Sequence, residues 1–192
     1  DHYEDILGTY LVNLSTHRIS ETDSREAAKL LKIIGDFERI SDHAVNLVES
    51  AEELRDKGRS LTDAAARDLV PLSAAVSDIL DLALTAFLQN DLASAARGEP
   101  LEQVIDQLKE QLRTRHILRL QKGDCTIDSG FVWLDLLTNL ERTADHCSNI
   151  AGCVIDAAHD NLNLHQSLRD VRDNSEDFQQ RYHEYTRKYA LS

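Results

Sequence analysis

A nine-residue pattern occurs twice in this chain: Glu38-Arg39-Ile40-Ser41-Asp42-His43-Ala44-Val45-Asn46 and, 103 residues further on, Glu141-Arg142-Thr143-Ala144-Asp145-His146-Cys147-Ser148-Asn149. Both read E-R-x-x-D-H-x-x-N. Five matched positions at one offset mark a duplicated unit, so fold and chemistry are to be sought in two related halves. At about 100° per residue, Glu38, Asp42 and Asn46 share one face of a helix, which Glu49 and Glu53 continue. Leu30, Ile33, Phe37, Ile40, Ala44, Leu47, Ala51 and Leu54 lie opposite. In the second copy Glu141, Asp145, Asn149 and Asp156 oppose Leu136, Leu140, Cys147, Ile150 and Val154. The acids thus form an outward stripe or meet a neighbouring helix at its margin.

The rest of the chain has the same helical spacing. Tyr3, Ile6, Leu7, Tyr10, Leu11 and Leu14 predict a first helix from Asp1 to about Arg18. A polar turn at Ser20–Ser24 precedes a long helix from about Arg25 to Lys57, stopped at Gly58. Ser60 or Thr62 starts a third helix to about Asn90, with Pro71 inside it expected to kink or disturb it. The second half repeats the plan: a helix over about Leu92–Lys122, where Gly98-Glu99-Pro100 is either a bend or the true start, one over Ile127–His159, and a last one over Leu164–Tyr189, after a turn at Asn161-Leu162-Asn163. The expectation is an all-α fold of six long helices, with repeats at 1–90 and 91–192. Scarce glycine (7), proline (2) and aromatic residues (5%) agree with it. Asp1–Leu7 can be laid on Asp106–Leu112, so the first unit reads as starting partway into its first helix. With no methionine in the chain, it reads as a fragment of a longer protein.

The formal net charge of −13 disfavours nucleic acid and anionic lipid as partners and suits cations or a basic protein surface. No apolar run approaches the roughly 20 residues that cross a bilayer, and no signal peptide is visible. Three cysteines without a C-x-x-C pair, Cys125, Cys147 and Cys153, point to reduced thiols, the last two as small core residues.

Two carboxylates one turn apart repel each other, and a cation between them relieves the repulsion while using both as hard oxygen ligands. Glu38 with Asp42, and Glu141 with Asp145, are the candidate ligands. Glu102 and Asp106, again four apart, can complete the second set from a neighbouring helix; only Asp1 remains of the equivalent pair in the first unit. Oxygen-rich ligation suits Fe, Mn, Mg or Ca over a thiolate-type zinc site. Arg39 and Arg142 are expected to bridge to these acids, and His43 and His146 to pack or cap rather than ligate. There is no Glu-x-x-His pair of the di-iron type, no P-loop and no G-x-S-x-G. With no positioned base or nucleophile, the expectation is a protein that is not an enzyme. The aromatic run Phe178, Tyr182, Tyr185, Tyr189 reads as a packing face.

The repeated segments resemble the signature of PhoU-domain proteins, an acidic residue followed four positions later by Asp, once in each of two repeats. The likeness covers the whole chain, Asp1 to about Leu191. Asp36 at one copy is Asn139 in the other, so that flanking position differs. The stretch His183–Tyr189 is most similar to the C-terminal PhoU-like domain of bacterial Na/phosphate cotransporter-family proteins. The resemblance implies two tandem three-helix bundles and metal clusters on the motif carboxylates, with iron or zinc foremost and Mg, Mn, Ca or Ni as alternatives. It also implies a regulatory role in phosphate uptake beside a membrane phosphate transporter, in cis or in trans, at the cytoplasmic face, with a homodimer left open. The alternative from the residues alone is an acidic helical adaptor that needs no metal.

Overall fold

The computed structural model describes residues 2–158 and 176–191. Among them every regular element is a helix: α1 (His2–Ser15), α2 (Glu21–Asp56), α3 (Asp63–Gln89), α4 (Leu92–Ala95), α5 (Gly98–Lys122), α6 (Ile127–Ala158) and α7 (Glu176–Lys188). The expected turn at Asn161-Leu162-Asn163 and the first part of the expected last helix lie outside the described residues.

Capping chemistry sets the boundaries. Ser20 Oγ accepts from the Asp23 amide at 3.0 Å, so α2 starts one turn earlier than the polar turn suggested. Thr62, not Ser60, caps α3 through the Ala65 amide at 3.2 Å. Asn90 ends α3 in the left-handed conformation, φ 50°. Asp91 caps the short α4 through the Ala93 amide, and Ser94 Oγ donates to its other oxygen. These bonds, Ser94 first, hold the Asp91 carboxyl below its ordinary range. The expected helix over 92–122 is therefore two elements, and Gly98-Glu99-Pro100 is the true start of the long one. Pro100 sits in the first turn of α5, where its missing N–H costs nothing. Pro71 lies inside α3, which runs past it without a break in the helix.

Helix α6 is the axis of the molecule: α2, α3, α4 and α5 all pack on it. Helix α3 crosses from the first half to lie on α5 and α6, α1 lies on α2, and α7 lies on α5. The core is built from Leu72 and Ile79 of α3, Leu101, Ile105 and Leu112 of α5, and Trp133, Leu137 and Ile150 of α6, all closed to solvent. Each large aliphatic contributes roughly 1.5–3 kcal/mol by burial. Phe37 and Phe87 meet edge-on at 5.1 Å where α2 passes the end of α3.

By length and mean hydropathy (1.6 over its most apolar window) α3 reaches the level of a membrane span, which corrects the sequence expectation that no such stretch exists. Its apolar face is nevertheless a core stripe, Leu72, Ala75, Ile79, Ala83 and Ala86.

Cys147 and Cys153 are buried free thiols, pushed up to about 12 and about 11 by burial, while Cys125 is half-buried. Phe178, Tyr185 and Tyr189 are buried, so the aromatic run is a packing face. The Lys188 ammonium and the Tyr189 hydroxyl both donate to Asp78 of α3. Together they hold the Asp78 carboxyl below its usual range.

Candidate metal centre

Glu99, Glu102 and Asp106 recur at helical spacing along α5 and meet Asp145 of α6. Burial, then the nearby charges of Glu99, Asp145 and Asp106, then a hydrogen bond to Asp145, push the Glu102 carboxyl up to about 8. Without a cation this environment favours the protonated form of the Glu102 carboxyl, hydrogen-bonded to Asp145. Glu99 is held from α6, accepting from Ser148 Oγ at 2.9 Å. The structure thus brings three of the expected ligands, Glu102, Asp106 and Asp145, into one electrostatic neighbourhood, and adds Glu99, which the sequence reading had not placed among the ligands.

Glu141 is engaged otherwise. Its Oε1 lies 3.0 Å from Lys109 Nζ, both groups half-buried. Arg39 and Arg142, expected to bridge to the acids, are exposed and form no ion pair among the described residues. Lys109, from the neighbouring helix, takes that part. In the first half Asp42 is exposed and Glu38 half-buried, and neither is among the charges that act on Glu102. Among the described residues no three His, Cys, Asp or Glu side chains converge at ligand distance. The donor chemistry of the second set still suits a hard cation: an all-oxygen group in which a carboxyl must stay protonated to tolerate its neighbours.

The motif histidines have another part. Asn139 Nδ2 donates to the Asp135 carbonyl of its own helix, which turns Oδ1 toward α2. That oxygen accepts from His43 Nδ1 at 2.8 Å and Asn46 Nδ2 at 3.1 Å. Seven residues along, His146 Nδ1 of α6 lies 2.7 Å from Asp36 Oδ1 of α2. The repeat offset relates Asp36 to Asn139 and His43 to His146, so the two contacts are one contact made twice, around a local two-fold axis between antiparallel helices. At the axis the two imidazoles stack, centroids 5.6 Å apart and planes 22° from parallel. The histidines of the signature join the repeats. The duplicated sequence carried this signal, but reading it required knowing that the copies face each other.

The family model that matches is the PhoU domain, over residues 1–51 and 69–154. The chain belongs to the PhoU domain family. The phosphate-specific transport system accessory protein PhoU homolog 1 of Thermotoga maritima is 26% identical over 147 residues, 77% of this chain and 62% of that protein. The corresponding PhoU homolog of Deinococcus radiodurans is 24% identical over 141 residues, 72% of this chain and 63% of that protein. The chain thus spans about three fifths of the length of these curated relatives. The crystal structure of PhoU from Pseudomonas aeruginosa superposes with a TM-score of 0.71 at 21% identity, over 83% of this chain and 79% of the other, a likeness of fold.

Proposed function

We propose that this PhoU domain is a cation-binding regulatory module of phosphate uptake and not an enzyme. Its relatives of known name are accessory proteins of phosphate-specific transport systems. The observation that carries the cation is the half-buried Glu102 carboxyl, raised to about 8 by burial first and then by the nearby charges of Glu99, Asp145 and Asp106. A cation there replaces the retained proton and offsets the repulsion of its neighbours. Glu102, Asp106 and Asp145 hold it, with Glu141 joining once released by Lys109; iron or zinc is the first choice of ion, and Glu38 with Asp42 supply the related face of the first unit. The bound ion fixes how α5 lies on α6 and hence the surface offered to the transporter. The likeness of His183–Tyr189 to cotransporter tails favours a module fused to, or docked on, a Na/phosphate cotransporter-like protein at the cytoplasmic face of the membrane.

The test is elemental analysis of purified wild type beside a Glu38→Ala, Asp42→Ala, Glu141→Ala, Asp145→Ala variant, with circular dichroism on both. Metal in the wild type, absent from a variant of equal helicity that no longer restrains phosphate uptake in cells, supports the proposal. The Lys109–Glu141 pair favours a second reading, an acidic adaptor that completes its own charge balance. Metal-free wild type that still binds a transporter, with binding weakened by salt and indifferent to chelation, establishes that reading instead.

A further inference from the structure

Lys109 stands beside the acids of the candidate metal centre as a cation carried by the chain itself. It follows Asp106 by one turn of α5, and Glu141 precedes Asp145 by one turn of α6. Lys109 Nζ lies 3.0 Å from Glu141 Oε1, with 22% and 15% of the two side chains exposed. The pair is thus partly withdrawn from water and less screened than a bridge on the open surface. It sits at the end of the same two helix faces that carry Glu102, Asp106 and Asp145. The first unit differs at this position. Laying Asp1–Leu7 on Asp106–Leu112 sets Glu4 where the second unit has Lys109. Glu4 is half-buried, and its Oε1 lies 3.4 Å from where a Cβ on Gly35 would sit, one turn before Glu38. Glu38 is the counterpart of Glu141 in the repeat. The duplicated helix pair therefore accepts either sign here, and packing alone does not require a lysine.

We propose that Lys109 is a tethered competitor of the bound cation and sets the cation concentration at which the second acidic set fills. The inference rests on the cation-binding reading above. In the cation-free protein the ammonium neutralises Glu141. An ammonium and a metal ion on one carboxylate repel each other, so Glu141 becomes a ligand only as Lys109 withdraws. Lysine suits this part. Its flexible stem lets the head return to water, whereas the planar fork of arginine would grip the carboxylate in two places.

The experiment titrates Zn²⁺ into chelator-treated protein against a chromogenic chelator of known affinity. It compares wild type, Lys109→Gln, Lys109→Arg and Asp145→Ala, the last marking zinc held elsewhere on the chain. Lys109→Gln keeps a donor toward Glu141 without the charge and should bind zinc about tenfold more tightly than wild type. Lys109→Arg keeps the charge and should bind no more tightly than wild type. Melting temperatures give a second readout. Without zinc Lys109→Gln should melt below wild type, and saturating zinc should raise it by more than it raises wild type. A lysine that only bridges α5 to α6 would lower both curves equally. Equal zinc affinity in wild type and Lys109→Gln, an equal gain in melting temperature, or tighter binding by Lys109→Arg overturns the proposal and leaves the cation reading standing. Zinc uptake by wild type and both lysine variants no greater than that of Asp145→Ala overturns the cation reading, and the proposal with it.

Discussion

Glu102 shows how one residue can make stability depend on pH. Its carboxyl is raised from its ordinary value to about 8 in the fold, by burial first and acidic neighbours next. A raised acid binds its proton more tightly folded than unfolded, so this contribution is complete below about pH 4.5 and is lost as pH climbs through about 8. In metal-free protein the melting temperature should therefore fall over that window. Glu102→Gln, which keeps a donor toward Asp145 but has no proton to lose, should flatten the slope and melt higher than wild type at pH 8. A parallel pair of curves would refute the assignment. Gly130 is a second case. A Cβ there would lie 2.7 Å from His116 Nε2, so Gly130→Ala should cost about 1–3 kcal/mol through overpacking, read by urea denaturation. Sequence reasoning found Glu102 from its spacing to Asp106, because helical periodicity places both on one face. It missed Lys109 as the partner of Glu141, because which side chain reaches across two helices depends on their register.

At the scale of elements, the helices were legible because apolar residues recur at helical intervals and capping residues stand at their ends. The ends slipped where several residues can cap: α2 starts at Glu21 under Ser20 instead of near Arg25, and Asp91 caps a separate short α4 ahead of the α5 start at Gly98. A pattern without tertiary context cannot rank them. What joins one helix to another was not legible. Asp68 ties α3 to α5 through two arginines, with its carboxylate and the Arg119 guanidinium largely buried. Asp68→Ala leaves Arg119 buried without its counter-charge and should cost about 3–5 kcal/mol in chemical denaturation. A loss below about 1 kcal/mol would mean that the pair is solvated and that α3 is held by its apolar stripe alone. The same measurement on Thr62→Ala, which removes the α3 cap, should show about 1 kcal/mol.

Across the whole molecule, the duplication fixes how the halves meet. Asp36 with His146 and His43 with Asn139 are equivalent contacts about one axis, so substitutions at 36 and 139 should partly compensate for each other. Asp36→Asn alone replaces a charge-assisted bond by a neutral one and should cost about 1–2 kcal/mol. Adding Asn139→Asp gives His43 a carboxylate in turn and should restore part of it, less the bond from Asn139 Nδ2 to the Asp135 carbonyl, which a carboxylate cannot make. Unfolding of the single and double variants measures the coupling; a double variant that loses the sum of both single effects would mean that the two ends of the axis are not alike.

A two-fold contact between separate chains comes apart on dilution, at a point set by their affinity. Here the same contact is carried on one polypeptide, so each half meets its counterpart at a fixed local concentration however scarce the protein is in the cell. The meeting of α2 and α6 is then independent of expression level. Mutation can also alter one half without altering its mirror image, a freedom already visible where aspartate stands at 36 and asparagine at 139.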